Sequence, residues 1–280
     1  MRATGKILLV TLLAVIPVVH LEAAQLTGKF VWAELASDDI AAASRFYGDL
    51  FGWTFHEVDG YVTVYNQDEP IAGMFYYPRP KNATGKPRWF GYISVPDVQR
   101  TEQSILAAGG KIRAPLHKLP GQEAEAVVFA DPEGALFGVA HFATGDPEDY
   151  LVETGDWIWI QLLSRNVQKA GEFYQHVANY ELVENGQMNG SKQFLLASEG
   201  YARAAISAIS PKRQDVAPCW MPSLRVDSVS ATIAKALQLG GTVLVQPRPD
   251  LFAGRAAVIT DPTGAAIGIM EWDPQPEVTP

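Results

Sequence analysis

Residues 37–53 read SDDIAAASRFYGDLFGW, and residues 165–180 read RNVQKAGEFYQHVANY. In both stretches a polar residue suited to a helix start precedes an amphipathic run that contains a Phe-Tyr pair. Phe173 follows Phe46 by 127 residues, and Asn179 follows Gly52 by the same interval. Glycine and asparagine are the residues that most readily take the left-handed conformation at a helix end. The two stretches therefore predict one helix written twice.

The repeat extends well beyond this helix. The pair Gly109-Gly110 recurs as Gly240-Gly241, and residues 131–134 (Asp-Pro-Glu-Gly) recur as residues 261–264 (Asp-Pro-Thr-Gly). The intervals are 131 and 130 residues, close to the interval between the helices. Small differences of this kind are typical of insertions in loops, so the chain is predicted to contain the same domain twice.

Each copy divides again into two modules. Alternating or apolar strand-like runs open the modules, and each is followed by a helix and then by two or three short β-rich runs. The opening runs are residues 30–35, 89–95, 157–162 and 220–226. The pattern predicts an α+β protein of four βαβββ modules, paired into domains at residues 28–143 and 156–272. Residues 144–155 are predicted to be a linker, and the proline-rich residues 273–280 a disordered tail.

Composition narrows the classes of partner. The chain has 280 residues, 48% of them hydrophobic, and 22 Lys and Arg against 31 Asp and Glu, giving a net charge of −9. This balance argues against a nucleic-acid-binding surface, which requires a basic stripe. Cys219 is the single cysteine, which excludes an intrachain disulfide and a cysteine-based metal cage.

Residues 1–24 have the layout of an export signal. Arg2 and Lys6 precede an apolar run from Ile7 to Val19, and small residues follow at Ala23 and Ala24. Glu22 is unusual two positions before the expected cleavage site, so an uncleaved N-terminal anchor is the alternative. Either way the chain is expected to be exported from a bacterial cell, to the periplasm or to the cell envelope, or to be secreted, with any membrane contact made through this segment if it is not cleaved.

In the order and spacing of these marks, the chain resembles the vicinal oxygen chelate superfamily, which includes glyoxalase I, bleomycin-resistance proteins and extradiol dioxygenases. The marks are Phe46-Tyr47, residues 51–53 (Phe-Gly-Trp), the Gly-Gly turns and the two Asp-Pro-x-Gly turns. More narrowly, the doubled domain is similar to tandem glyoxalase-like proteins of bacteria. The resemblance implies that each pair of modules forms a U-shaped mixed sheet with helices outside and a ligand-binding inner face.

Strand alternation then selects the residues that face the two clefts. For the first domain these include Glu34 together with Trp32, Arg88, Phe90, Tyr92 and Phe142. For the second domain they are Trp157, Trp159, Gln161 and Trp272. The aromatic side chains predict a small-molecule pocket, and a filled domain interface is the alternative.

The resemblance also implies where a divalent metal would be held. The mapped positions carry no imidazole or carboxylate, the side chains that such a site needs: they are Trp32, Phe90 and Gly138 in the first domain, Trp159, Met221 and Gly268 in the second, with Gly73 and Ala205 at the remaining positions. We therefore expect no metal bound by the superfamily's usual scheme and predict no cofactor, although a divalent metal held elsewhere is left open.

Three functions follow as hypotheses. The first is an exported protein that binds a small, partly aromatic molecule without a metal. The alternative is a lyase, isomerase or hydroxylase-like enzyme in which Glu34 acts as general base, provided that Glu34 does not simply pair with Arg88 or cap loop amides. The third is an envelope protein whose clefts are filled. A small-molecule partner is expected, no nucleic acid, and assembly into a homo-oligomer is left open.

Overall fold

The computed structural model describes residues 24–78, 86–149, 152–188 and 191–272, and the predicted export segment and tail lie outside these ranges except for Ala24. Four βαβββ modules follow one another, as predicted. The first comprises β1 (Phe30–Ser37), α1 (Ile40–Phe51), β2 (Thr54–Val58), β3 (Tyr61–Asn66) and β4 (Glu69–Tyr76). The second comprises β5 (Arg88–Ser94), α2 (Val98–Ala107), β6 (Lys111–Lys118), β7 (Ala124–Ala130) and β8 (Leu136–Phe142).

The second half repeats this order. The third module comprises β9 (Trp157–Ser164), α3 (Val167–Ala178), β10 (Glu181–Met188), β11 (Ser191–Ser198) and β12 (Tyr201–Ala208). The fourth comprises β13 (Cys219–Val226), α4 (Val229–Gln238), β14 (Thr242–Val245), β15 (Ala256–Thr260) and β16 (Ala266–Glu271), with a short 3-10 turn at Phe252–Gly254.

Each pair of modules forms one eight-stranded mixed sheet. Sheet 1 has the order β2-β3-β4-β1-β5-β8-β7-β6, and sheet 2 has the matching order β10-β11-β12-β9-β13-β16-β15-β14. The opening strands β1 and β5 pair antiparallel at the centre of sheet 1, and each pairs parallel with the last strand of its own module. Sheet 1 curls so far that Gly121, between β6 and β7, lies beside Thr63 of β3.

The helices begin and end at local hydrogen bonds and backbone conformations that the sequence predicts. Asp39, Asp97, Asn166 and Ser228 each accept a hydrogen bond from a backbone N–H in the first turn of the helix that follows. Gly52 and Asn179 end α1 and α3 in the left-handed conformation, with φ of 81° and 52°. The predicted equivalence of these two positions is confirmed.

A bulge changes which way the first residue of β1 and of β9 points. The register shifts between Phe30 and Trp32, and again opposite Trp157, so strict alternation fails there. Phe30 packs against Trp220, with ring centroids 4.9 Å apart. Trp157 packs against Trp89 at 5.2 Å and donates its indole N–H to the carbonyl of Ile71. The prediction that Trp157 lines the second cleft is therefore wrong, because the bulge turns it toward the other domain.

The two domains share their hydrophobic cores. Helix α1 packs against α4 and α2 against α3, and strand β5 of sheet 1 also lies against β13 of sheet 2. One core joins Ile93 and Ile105 of the first domain to Phe173 of the second, and the other joins Phe46 to Ile269. Tyr174 accepts a hydrogen bond from Trp220 and donates one to Asp131 of the other domain.

Candidate functional site

Glu34 lies at the centre of the inner face of sheet 1, where two tyrosines hold it. Tyr61 of β3 donates a hydrogen bond to Oε1 at 2.7 Å, and Tyr92 of β5 donates one to Oε2 at 2.6 Å. Trp32 in turn donates its indole N–H to the Tyr61 oxygen at 3.3 Å. Glu34 is 4% exposed. The expected pairing of Glu34 with Arg88 is replaced by these two phenols.

Burial sets the ionisation of this group. It raises the pKa of the Glu34 carboxyl, while the hydrogen bonds from Tyr92 and Tyr61 and the charge of His117 oppose that shift. The pKa of Tyr61 and of Tyr92 is also raised, by burial and by the neighbouring Glu34. The Glu34 carboxyl therefore resists ionisation, and each of its two oxygens already accepts a hydrogen bond from a tyrosine.

Apolar side chains close over this cluster and fill the centre of the first cleft. Trp32, Phe90, Tyr92 and Phe142 are all buried in one hydrophobic group. Leu119, from the turn between β6 and β7, completes that group from the opposite wall. The expectation of an open aromatic cleft is thus corrected at its deepest part, where the protein's own side chains occupy the space.

A cavity remains at the mouth of the first cleft, which we call the mouth cavity. Its volume is about 410 Å³, and its apolar lining includes Phe75, Phe90 and Leu136. The charged side chains that line it are Lys86, Arg88, Arg113 and Asp38. Arg88 and Phe90 were expected from strand alternation. Phe75 of β4, Arg113 of β6 and Lys86, which precedes β5, were missed, because they lie outside the opening and closing strands to which alternation was applied.

The inner face of sheet 2 carries smaller and more polar side chains. Gln161, at the place of Glu34, donates a hydrogen bond to Ser207, and Gln193 donates another to the same hydroxyl. Ser223 pairs with Trp159 where Tyr92 pairs with Trp32. Trp159 and Gln161 are half-buried, whereas Trp32 and Glu34 are buried. The second inner face is accordingly the more open of the two.

The remaining predicted residue, Trp272, is separate from this face. It is 39% exposed and packs on Phe252, with ring centroids 5.8 Å apart. The three tryptophans predicted for the second cleft therefore do not form one wall. A further cavity, of about 380 Å³, lies between the domains and is lined by Trp157 and Trp159 from one side and Phe30 and Trp32 from the other.

The mapped metal positions do not suit a metal site. A side chain at Gly73 would begin 1.8 Å from the Tyr61 hydroxyl, and one at Gly138 would begin 2.1 Å from the Tyr92 ring. Gly268 of the second domain is blocked in the same way by Ser223, at 2.1 Å. Among the residues that the structure describes, no group of three or more His, Cys, Asp or Glu side chains is placed to hold an ion. The donors that the superfamily's site requires are replaced by aromatic rings and glycines.

Comparison with known proteins identifies both halves of the chain. The model of the glyoxalase/bleomycin resistance protein/dioxygenase superfamily matches residues 29–139, and a glyoxalase-like domain model matches residues 158–270. CFP32 of Mycobacterium tuberculosis, which carries the name of a glyoxylase, is 28% identical over 250 residues, covering 87% of this chain and 95% of its own. DnrV of Streptomyces peucetius, named as an anthracycline biosynthesis protein, is 28% identical over 262 residues, covering 87% and 93%.

Solved structures share the fold at lower identity. The 2,3-dioxygenase LapB from Pseudomonas sp. KL28 has a TM-score of 0.62 at 16% identity, covering 91% of this chain and 97% of its own. The Mn(II)-bound glyoxalase from Novosphingobium aromaticivorans has a TM-score of 0.58 at 18% identity, covering 88% and 82%. The arrangement of two domains with U-shaped mixed sheets is thus common to these proteins.

Proposed function

Since the chain belongs to the glyoxalase/bleomycin resistance protein/dioxygenase superfamily, yet has no metal-binding side chains at the mapped positions, we propose that it binds a small, partly aromatic molecule without a metal. The observation that carries this proposal is the mouth cavity. Its volume of about 410 Å³ falls within the roughly 300–1,000 Å³ that small-molecule sites occupy. Phe75 and Phe90, whose rings pack on each other 6.5 Å apart, belong to its lining, and aromatic rings pack favourably on such side chains.

The charges around the mouth cavity favour a ligand with an acidic group. Among the described residues that line the cavity, the cationic side chains are Lys86, Arg88 and Arg113, and the carboxylate is that of Asp38. Guanidinium groups bind carboxylates through paired hydrogen bonds. An aromatic acid would place its ring on the apolar floor and its acid group at the arginines.

Binding is favoured over catalysis by the position of Glu34. The alternative function, an enzyme of the lyase, isomerase or hydroxylase-like type, needs a general base within hydrogen-bond distance of its substrate. Glu34 lines neither the mouth cavity nor the cavity between the domains, and its oxygens are held by Tyr61 and Tyr92. A filled envelope protein, the third hypothesis, is disfavoured by the volume of the mouth cavity.

Calorimetric titration of the full-length protein with 1-naphthoate, before and after treatment with EDTA, tests this function. We expect the same affinity in both, and Arg113→Ala should weaken binding about tenfold because the acid group loses a charged hydrogen bond. Arg100→Ala, an exposed arginine on α2, is the matched control and should bind as the wild type does. Absence of binding, or binding that EDTA abolishes, would refute the proposal.

The proposal includes export. Residues 1–24 carry the basic start, apolar run and small residues of an export signal, and no helix within the described ranges is long and apolar enough to span a membrane. The mass of the protein recovered from the envelope fraction of a bacterial host tests whether the chain is exported and whether residues 1–24 are cleaved. A mass lacking about 24 residues indicates cleavage, an intact mass in that fraction indicates an anchor, and recovery only from the cytoplasm would overturn export.

A further inference from the structure

The cavity between the domains has an aromatic wall built by the bulges described above. Phe30 and Trp157 are turned into it from β1 and β9, and Trp159 contributes from the same strand. Its volume of about 380 Å³ is sufficient for a molecule with one or two rings. Because its walls come from both domains, neither domain alone contains this cavity.

One end of this cavity is formed by a compact group of charges. Arg203 of β12 contacts Asp149 of the linker, with Nη1 at 2.7 Å and 2.8 Å from the two carboxylate oxygens. Lys29 lies on the other side of Asp149 at 3.1 Å. The side chain of Arg203 is 5% exposed, and burial lowers the pKa of Lys29. Two cations therefore share one carboxylate in a partly buried place.

Arg203 leaves one edge of its guanidinium unused. Nε and Nη2 are buried, and among the described residues neither has a hydrogen-bond partner. These two nitrogens form the side-on edge of the guanidinium, which matches the spacing of the two oxygens of a carboxylate. Buried donors without a partner are rare and costly, so this edge calls for an acceptor that the chain itself does not supply.

The other charges around the cavity limit the ligand to a single negative charge. Glu69, Glu148 and Asp156 also line it, and Asp156 accepts a hydrogen bond from Asn66. These carboxylates would repel a second negative charge on the ligand, as a phosphate or a dicarboxylate carries. With Asp149 these carboxylates outnumber Lys29 and Arg203 in the described lining, so a monoanion can bind only where its acid group meets the unused edge of Arg203 directly.

We propose that the cavity between the domains is a second binding site, for a small aromatic monocarboxylate whose acid group pairs with the unused edge of Arg203. Lys29 adds a nearby positive charge only, because its ammonium already contacts Asp149 and the carbonyls of Pro147 and Glu148. The ring of the ligand lies against Phe30 and Trp157. A molecule bound in this way contacts both domains and the linker at once, and it stabilises their arrangement through its preferential binding to the folded chain.

Calorimetry with phenylacetate on the full-length protein tests the second site. Two further probes carry the same phenyl ring with a different charge. Phenethylamine is positively charged, and phenyl phosphate carries a second negative charge that phenylacetate lacks. We expect phenylacetate to bind at two sites per chain, while the other two probes leave the Arg203 site empty. Arg203→Lys keeps a charge beside Asp149 but loses the side-on edge, and should weaken one of the two sites about tenfold. Lys29→Gln, from the other domain, should weaken that same site.

The two proposed sites are separable by variant. Arg113→Ala should affect only the mouth cavity, and Arg203→Lys only the site between the domains. The second site would be overturned if the Arg203→Lys and Lys29→Gln proteins both bind phenylacetate at two sites with wild-type affinities. It would also be overturned if the wild type has a single site that Arg113→Ala removes. A single wild-type site that Arg203→Lys weakens and Arg113→Ala leaves unchanged would refute the proposed function and leave this inference intact. Thermal unfolding verifies that each variant is folded. If only one of Arg203→Lys and Lys29→Gln folds, that variant alone tests the second site.

Discussion

At the scale of single residues, the inner face of sheet 1 shows how a cleft can be occupied by the side chains of its own strands. Gly73 and Gly138 leave the space that the Tyr61 hydroxyl and the Tyr92 ring take up. The two phenols then satisfy the oxygens of Glu34, which is why a carboxyl can remain in a buried apolar group. Sheet 2 has Gln161 and serines instead, so it needs no such support.

The buried carboxyl predicts a pH dependence of stability. Because burial raises the pKa of Glu34 above its usual 4.5, the folded state holds a proton more tightly than the unfolded state. This contribution favours the folded state at low pH, and it is lost as the pH rises from 4.5 through the folded pKa. Glu34→Gln removes it, so the stability of the variant relative to the wild type should increase from pH 4 toward pH 8. Urea unfolding across that range measures the difference.

Glu57→Gln is the control for Glu34→Gln, since Glu57 lies exposed on the neighbouring β2. Its unfolding curve should follow the wild type throughout the pH range. If the Glu34→Gln and wild-type free energies run parallel with pH, the buried carboxyl is not the cause.

At the scale of secondary-structure elements, the two copies of the first helix end in the same backbone conformation with different residues. A side chain at Gly52 would meet no atom within 4 Å, so any cost of substitution there comes from the backbone alone. The left-handed conformation costs an ordinary residue about 1–2 kcal/mol, and asparagine tolerates it better. The second copy uses Asn179 at the same place, with φ of 52°.

Gly52→Ala should therefore lower the free energy of unfolding by about 1–2 kcal/mol, and Gly52→Asn by distinctly less although its side chain is larger. Asn179→Gly in α3 is the matched control and should change stability by a few tenths of a kcal/mol. Chemical denaturation of the three variants provides the comparison. Equal losses for Ala and Asn at position 52 would show that the left-handed conformation does not set the cost.

At the scale of the whole molecule, the sequence repeat and the packing do not divide the chain in the same way. Each repeated unit consists of two consecutive modules that share one sheet, so the first and second modules form sheet 1. The hydrophobic cores instead join the first module to the fourth and the second to the third. Tyr174 of the third module donates to Asp131 of the second, which adds a buried hydrogen bond to the interface. Each domain thus has a sheet of its own, whereas each hydrophobic core contains residues of both domains.

Expression of residues 1–149 and 150–280 as two chains tests this sharing of cores. Each half alone should lack a cooperative thermal transition and the near-ultraviolet circular dichroism of packed aromatic rings, because half of each core is missing. The two halves produced together should recover both signals. A half that unfolds cooperatively by itself would show that each domain has a sufficient core of its own.

By itself the sequence determined the four βαβββ modules, the helix ends at Gly52 and Asn179, and the lack of metal-binding side chains at the mapped positions. These depend on hydrogen bonds and alternation between residues that are neighbours in the chain. Only the tertiary structure decided that Tyr61 joins Tyr92 on the oxygens of Glu34, that a bulge turns Trp157 between the domains, and that Arg203 meets Asp149. Whether an inner face is open or filled depends on side chains that come from distant strands, and no local pattern records their meeting.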